Sequence, residues 1–161
     1  MNLKGPKWKS AIMEKSSIEH ITDMPLNEVF ALCCPVMEYE WIRGWSCTMR
    51  HSISGKAEMH AVFQSRYPWP FGMKATWICT RYEKDKALMY TAFVPNTLIV
   101  TLEDTFEVRA DGKTRLKVDF TGIGLSWLGK KIVKRMFAKG GPQSDDLDYY
   151  LKHRKMKPGK Q

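Results

Sequence analysis

The chain reads as an α+β fold, a curved seven-stranded antiparallel sheet wrapped around a long C-terminal helix, with two short helices between the first and second strands. Three observations predict it. Residues Trp45 to Gly124 alternate apolar and polar side chains between turn residues, the pattern of an antiparallel meander. Leu128, Ile132, Val133 and Met136 share one helical face after Leu125-Ser126, with lysines on the other. Between the first strand and the meander lies Cys34 to Trp45, where two indoles, three apolar side chains and two carboxylates hand a short helix over to a strand.

Taken in order, Ser17 to Thr22 alternates as a first strand. Asp23-Met24-Pro25 then opens a short helix, because proline is tolerated in the first turn and Asp23 offers an acceptor to the free amides. Val29, Phe30, Leu32 and Cys33 supply its buried stripe, and Pro35 interrupts it and begins a second short helix through Trp41. Gly44 releases the chain into the meander. Five turns follow, Ser54-Gly55-Lys56, Pro68 to Gly72, Glu83 to Lys86, Val94 to Thr97 and Asp111-Gly112-Lys113, and they delimit six strands.

Register follows from keeping like faces together, since a one-residue slip inverts every side chain. Closing on Ser54-Gly55-Lys56 sets Cys47 against Phe63, Met49 against Ala61 and His51 against Met59, with Thr48, Arg50, Ser52, Glu58 and His60 on the polar face. Closing on Asp111-Gly112-Lys113 opposes Val108 with Leu116, Phe106 with Val118 and Glu107 with Lys117. Both hairpins then have one apolar face, which the terminal helix covers. Gly140-Gly141-Pro142 breaks that helix, and Ser144 to Lys155 forms a second piece carrying Leu147, Tyr150 and Leu151 on one side.

With 161 residues, 43% of them apolar, the chain is sized for one core. The expected organisation is a basic leader over 1–16, one domain over 17–155 and a basic, disordered tail over 156–161. The net charge of +9 is concentrated at the ends, where residues 129–161 hold ten Lys/Arg against three Asp, and residues 1–17 hold four Lys against Glu14. A nucleic-acid reader would spread basic residues and exposed aromatics over one face, so no specific nucleic-acid partner is expected. The tail reads as a solvated terminus with, at most, weak contact to an anionic surface. The first seventeen residues lack a secretory apolar stretch, and the cysteines Cys33, Cys34, Cys47 and Cys79 have neither C-x-x-C nor zinc spacing. A cytoplasmic protein with reduced thiols, monomeric or homodimeric, is the expectation.

The element order, together with P-V-x-E-x-x-W-x-x-G-W at Pro35 to Trp45, resembles the SRPBCC superfamily of helix-grip domains, which includes START lipid-transfer domains, pollen-allergen-like proteins and polyketide cyclases. The likeness runs over residues 17–155. It includes Val62-Phe63, Trp77 to Tyr82 and Leu125-Ser126, and departs at Gly140-Gly141-Pro142, where similar proteins run an unbroken helix. The resemblance implies a fold that encloses a cavity between sheet and helix. It does not imply one activity, because that superfamily serves carriage, sensing, cyclisation and chaperone binding.

Candidate site residues follow from face and chemistry. Trp41 and Trp45 are cavity walls or a belt anchoring helices to sheet, with Glu38 an acceptor for one indole. Asp104 has the parity of the apolar residues on its strand and Arg81 that of Trp77 and Cys79, so these charges either meet inside or escape at strand ends and bulges. His51 and His60 meet only in a two-residue turn, and no metal, cofactor or catalytic residue is expected. The expected ligand is a hydrophobic or amphipathic small molecule, lipid-like or aromatic. Its lining is Cys47, Met49, His51, Met59, Phe63, Trp77, Arg81, Tyr90, Val100, Asp104, Phe106, Val118, Phe120, Ile132 and Met136, with Tyr67, Trp69 and Phe71 as a gate loop or subunit contact. A cyclase- or aromatase-like enzyme needs Asp104, Arg81, His51 or Tyr90 to converge. An interaction module needs a filled core and an exposed patch at Trp69 and Phe71.

Overall fold

The computed structural model describes residues 10–66, 74–138 and 145–159. Its elements are β1 (Ile12–Thr22), α1 (Leu26–Leu32), a 3-10 turn (Glu38–Glu40), β2 (Cys47–His51), β3 (Val62–Ser65), β4 (Ala75–Glu83), β5 (Ala87–Val94), β6 (Leu98–Val108), β7 (Thr114–Gly124), α2 (Trp127–Phe137) and α3 (Asp145–His153). The strands form one antiparallel sheet in the order β1-β7-β6-β5-β4-β3-β2. The meander therefore runs as expected, and β1 returns to the far edge beside β7. The segment from α1 to the 3-10 turn connects the two edges of the sheet. Among the described residues no helix is long and apolar enough to cross a membrane.

Four expectations are corrected. The first strand starts at Ile12, five residues earlier, and pairs with β7 along its whole length from Ile12–Gly124 to Thr22–Thr114. No described side chain caps α1, whose Glu28 and Val29 amides bond to the Pro25 carbonyl; Asp23 instead pairs with Lys113, and the hydroxyl of Thr22 takes the Met24 amide ahead of the helix at 3.2 Å. Both predicted hairpin registers slip by two residues. Met49 opposes Phe63, and Phe106 opposes Leu116. In the second hairpin the left-handed φ of 79° falls on Gly112 at the end of the loop, so the strands close between Arg109 and Lys113 (N···O 2.8 Å). In the first, Glu58 folds inward and accepts from the amides of Ile53 and Ser54 and from the hydroxyl of Ser52, which makes a wide loop and leaves Met59 exposed. A two-residue slip preserves each residue's face, so the core survives the error.

The long terminal helix is replaced by two shorter ones, α2 of 11 residues and α3 of 9; Gly140-Gly141-Pro142 lies outside the described residues. Ser126 caps α2, accepting from the Gly129 amide at 3.1 Å. The helix is turned so that Gly129, Ile132, Val133 and Met136 face the sheet and Leu128 is left exposed. The cause is a close approach: a Cβ on Gly129 would lie 1.7 Å from the carbonyl oxygen of Thr97, and one on Gly124 of β7 would lie 2.6 Å from the backbone of Lys130. The Thr97 oxygen also accepts from the amide of Leu125 at 2.9 Å, so the start of α2 is pinned to the β5–β6 turn. At the other end α3 is tied down by His20 Nδ1 to Asp148 (2.6 Å), by Tyr150, whose hydroxyl donates to Glu40 (2.9 Å), and by buried Leu147 and Leu151.

Candidate functional site

The segment after α1 ends a helix against the sheet, so its last carbonyls need donors from elsewhere. Three side chains provide them. Trp41 Nε1 donates to the carbonyl of Leu32 at 2.9 Å, Tyr90 Oη to that of Cys33 at 3.2 Å, and Trp45 Nε1 to that of Pro35 at 2.8 Å. The two tryptophans of the motif are thus a belt across the helix end, and both indoles use backbone acceptors. Glu38, expected as an indole partner, is left over for another role. Because Tyr90 stands on β5 and the tryptophans follow the 3-10 turn, these bonds fix Cys33 and Glu38 over the inner face of the sheet.

There they meet Asp104 of β6. Asp104 is 3% exposed and Glu38 7%, and among the described residues no Lys, Arg or His forms an ion pair with either. Burial lifts the Asp104 carboxyl from 3.8 to about 7, against the opposing pull of a hydrogen bond from the Cys33 thiol. Burial and then the neighbouring Asp104 push Glu38 well above the ordinary carboxylate range. Cys33 and Tyr90 are likewise pushed up, first by burial and then by these acids, and Cys47 reaches about 11 through burial and Glu38. Near neutral pH the cluster therefore holds protons. It can donate hydrogen bonds, exchange a proton at Asp104, or take up a positive charge.

Aromatic rings surround this cluster. Phe63 stacks on Trp77 with centroids 5.8 Å apart, meets Tyr90 edge-on at 5.6 Å, and Phe30 bridges Phe106 at 5.1 Å and Tyr82 at 5.8 Å. Trp77 Nε1 is satisfied by Ser65 Oγ at 2.9 Å. Of the expected lining, Phe63, Trp77, Tyr90, Val100, Asp104, Phe106, Val118 and Ile132 are buried on this inner side, and Cys47, Met49, Phe120 and Met136 pack partly buried against them.

Three do not join them. Arg81 lies outside, bonded to Glu83 and Glu103 at 2.7 Å each, because a bulge between Cys79 and Arg81 shifts the register of β4 against β5 and turns the arginine to the other face. His51 opposes Val62 after a second bulge and is exposed, as is Met59. Arg81 and Asp104 therefore do not meet, and only Tyr90 and Asp104 of the proposed acid–base set converge, on either side of Cys33. Tyr67, Trp69 and Phe71 lie outside the described residues. Cys33 was missed as a polar participant because its position in the buried stripe of α1 suited an apolar reading; its signal was the Cys-Cys-Pro break that aims the helix end at the sheet.

Two crevices open elsewhere on the surface. One, of about 290 Å³, is lined by Thr48, Arg50, Gln64 and Lys74 among others. The other, of about 820 Å³, lies between Phe93, Asn96, Ser126, Trp127 and Lys130.

No family model matches the chain, and no curated protein matches it. Solved structures do. Hypothetical protein jhp0584 from Helicobacter pylori is similar with a TM-score of 0.67 at 14% identity, covering 86% of this chain and 84% of that one. CalU16 from Micromonospora echinospora is similar at 0.56 and 13% identity over 91% and 88%. DynU16, a putative protein in the dynemicin biosynthetic locus, is similar at 0.58 and 16% identity over 88% of this chain and 48% of its own, so the chain spans about half of it. These likenesses support the α+β fold with its antiparallel sheet.

Proposed function

We propose that the protein binds a hydrophobic or amphipathic small molecule, lipid-like or aromatic, between the inner face of its sheet and the helical segments, with Glu38 and Asp104 addressing the polar end. One observation carries this reading: two carboxylates sit in an aromatic surround, without an ion-pair partner among the described residues, at a cost in stability that packing alone does not require. An apolar site with a few polar groups is how proteins bind such ligands, through burial of apolar area with orientation set by hydrogen bonds.

A second reading, a cyclase- or aromatase-like enzyme, draws on Asp104 alone, whose carboxyl at about 7 is matched to proton transfer at neutral pH. Binding is common to both readings and is tested first. Native mass spectrometry of the purified protein is expected to show an adduct in the small-molecule range, and delipidated protein is expected to bind Nile red saturably with a blue-shifted emission. An adduct-free spectrum together with linear, unsaturable Nile red fluorescence would remove the basis for both.

A further inference from the structure

The outer face of the sheet is graded from one end to the other. Cross-strand pairing lines up Met13, Ile123, Ile99 and Phe93 from β1 to β5 as one row. The next row holds Lys15, Thr121, Thr101, Thr91 and Ile78, and the rows beyond it hold the ion pairs of Arg81, Lys117 and Arg115. Apolar side chains on a water-facing sheet row are unusual, and the two ends of this one are exposed, Met13 at 57% and Phe93 at 46%, with Ile123 and Ile99 half-buried between them. Because Gly129 lets α2 sit directly on the β5–β6 turn, Trp127 stands across the 820 Å³ groove from Phe93 and is 70% exposed. Lys130 lines the same groove, and Lys131 places its ammonium 3.9 Å from the centre of the Trp127 ring. Neither of the first two sheet rows contains Asp or Glu among the described residues, and α2 carries Lys130, Lys131, Lys134 and Arg135 with no acid.

We propose that this end of the molecule, with Trp127 and Phe93 as apolar anchors and Lys130 and Lys131 as their cationic rim, docks on an anionic lipid bilayer. An exposed indole beside lysines matches the apolar and headgroup layers of such a surface. A second copy of the chain would bring the same cations against themselves, so charge favours the bilayer over self-association. Phe93 is on the opposite face of the sheet from Asp104, and Trp127, Lys130 and Lys131 stand at the start of α2 by the β5–β6 turn; none of them belongs to the inner-face cluster, so docking here does not depend on what that site binds.

The test is flotation with vesicles of phosphatidylcholine alone and of phosphatidylcholine with phosphatidylserine. The protein is expected to float with the anionic vesicles, to be released by salt, and to stay behind with the neutral ones. Each lysine near the surface is worth about fivefold in partitioning, so Lys130→Gln/Lys131→Gln is expected to bind about thirtyfold more weakly. Phe93→Ser/Trp127→Ala is expected to lose flotation while keeping the far-ultraviolet spectrum of the parent. Lys155→Gln/Lys157→Gln, in the basic tail, is expected to keep it. As an independent reading on a minimally altered protein, brominated lipid is expected to quench the parent's tryptophan emission and to quench that of Trp127→Phe less. The proposal is overturned if the parent ignores anionic vesicles, if the groove variants float like it, or if the tail variant alone abolishes binding. Sedimentation showing a dimer that Phe93→Ser/Trp127→Ala dissociates would assign the patch to a second copy instead.

Discussion

Replacing Asp104 by asparagine removes the ionisable group while keeping its shape and its acceptor for the Cys33 thiol. In the native protein the carboxyl titrates at about 7 rather than at 3.8, because burial disfavours its charge. Between these values the folded chain holds a proton that the unfolded chain has lost, so stability falls as pH rises through that window. Above it the penalty is constant at about 4 kcal/mol, and the loss between about pH 5 and about pH 8 is about 3 kcal/mol. Asparagine lacks this titration but brings an amide N–H₂ that needs partners, at a cost of about 1–2 kcal/mol. The variant is therefore expected to match or fall below the parent near pH 5 and to exceed it by about 2 kcal/mol near pH 8. Glu38 strengthens the contrast, since loss of the Asp104 charge removes one of the two causes that raise it. Urea unfolding followed by circular dichroism at the two pH values measures the difference directly. Parallel stability profiles for parent and variant would refute the placement of Asp104 as a buried, proton-holding acid.

Two further perturbations probe the scaffold. Gly129→Ala places a methyl group 1.7 Å from the Thr97 carbonyl oxygen, which must move α2 off the β5–β6 turn; a net loss of about 2 kcal/mol or more is expected despite the roughly 1 kcal/mol gain in helix propensity, read as a lower urea midpoint. Trp41→Phe keeps an aromatic ring, smaller than the indole, and removes the donor to the Leu32 carbonyl; a loss of about 1–3 kcal/mol is expected from the unmet buried acceptor together with lost packing, and a midpoint unchanged from the parent would refute a role for this hydrogen bond in stability.

Much of this molecule was legible because strand periodicity tolerates certain errors. The β2–β3 and β6–β7 registers were each wrong by two residues, yet Met49, Phe63, Phe106 and Leu116 stayed on the expected side. The bulge at Cys79–Arg81 was different in kind. One extra residue reverses parity, so alternation alone could not say whether Arg81 would face Asp104 or, as it does, Glu103. Similarly, Leu128 fits the apolar stripe of α2 by spacing, but the contact that sets the helix's rotation is Gly129 against Thr97, a backbone approach that no side-chain pattern encodes. Neighbouring Trp127 is exposed for the same reason.

Glu38 shows how a motif can be located before it is understood. Its spacing from Trp41 and Trp45 predicted a hydrogen bond within the stretch, since buried indoles require acceptors and a carboxylate is the strongest one nearby. The indoles are instead consumed by the carbonyls of Leu32 and Pro35, which are free because a helix ends there. Satisfying the backbone in this way leaves the carboxyl without an indole donor and carries it toward Asp104, where burial and then the Asp104 charge make it harder to ionise. A folding unit built only for stability would do better with an apolar side chain at either position. The belt of Trp41, Tyr90 and Trp45 therefore has two consequences, closing the end of α1 and maintaining an acidic pair among aromatic rings, and the second is what gives the inner face of the sheet a chemistry beyond packing.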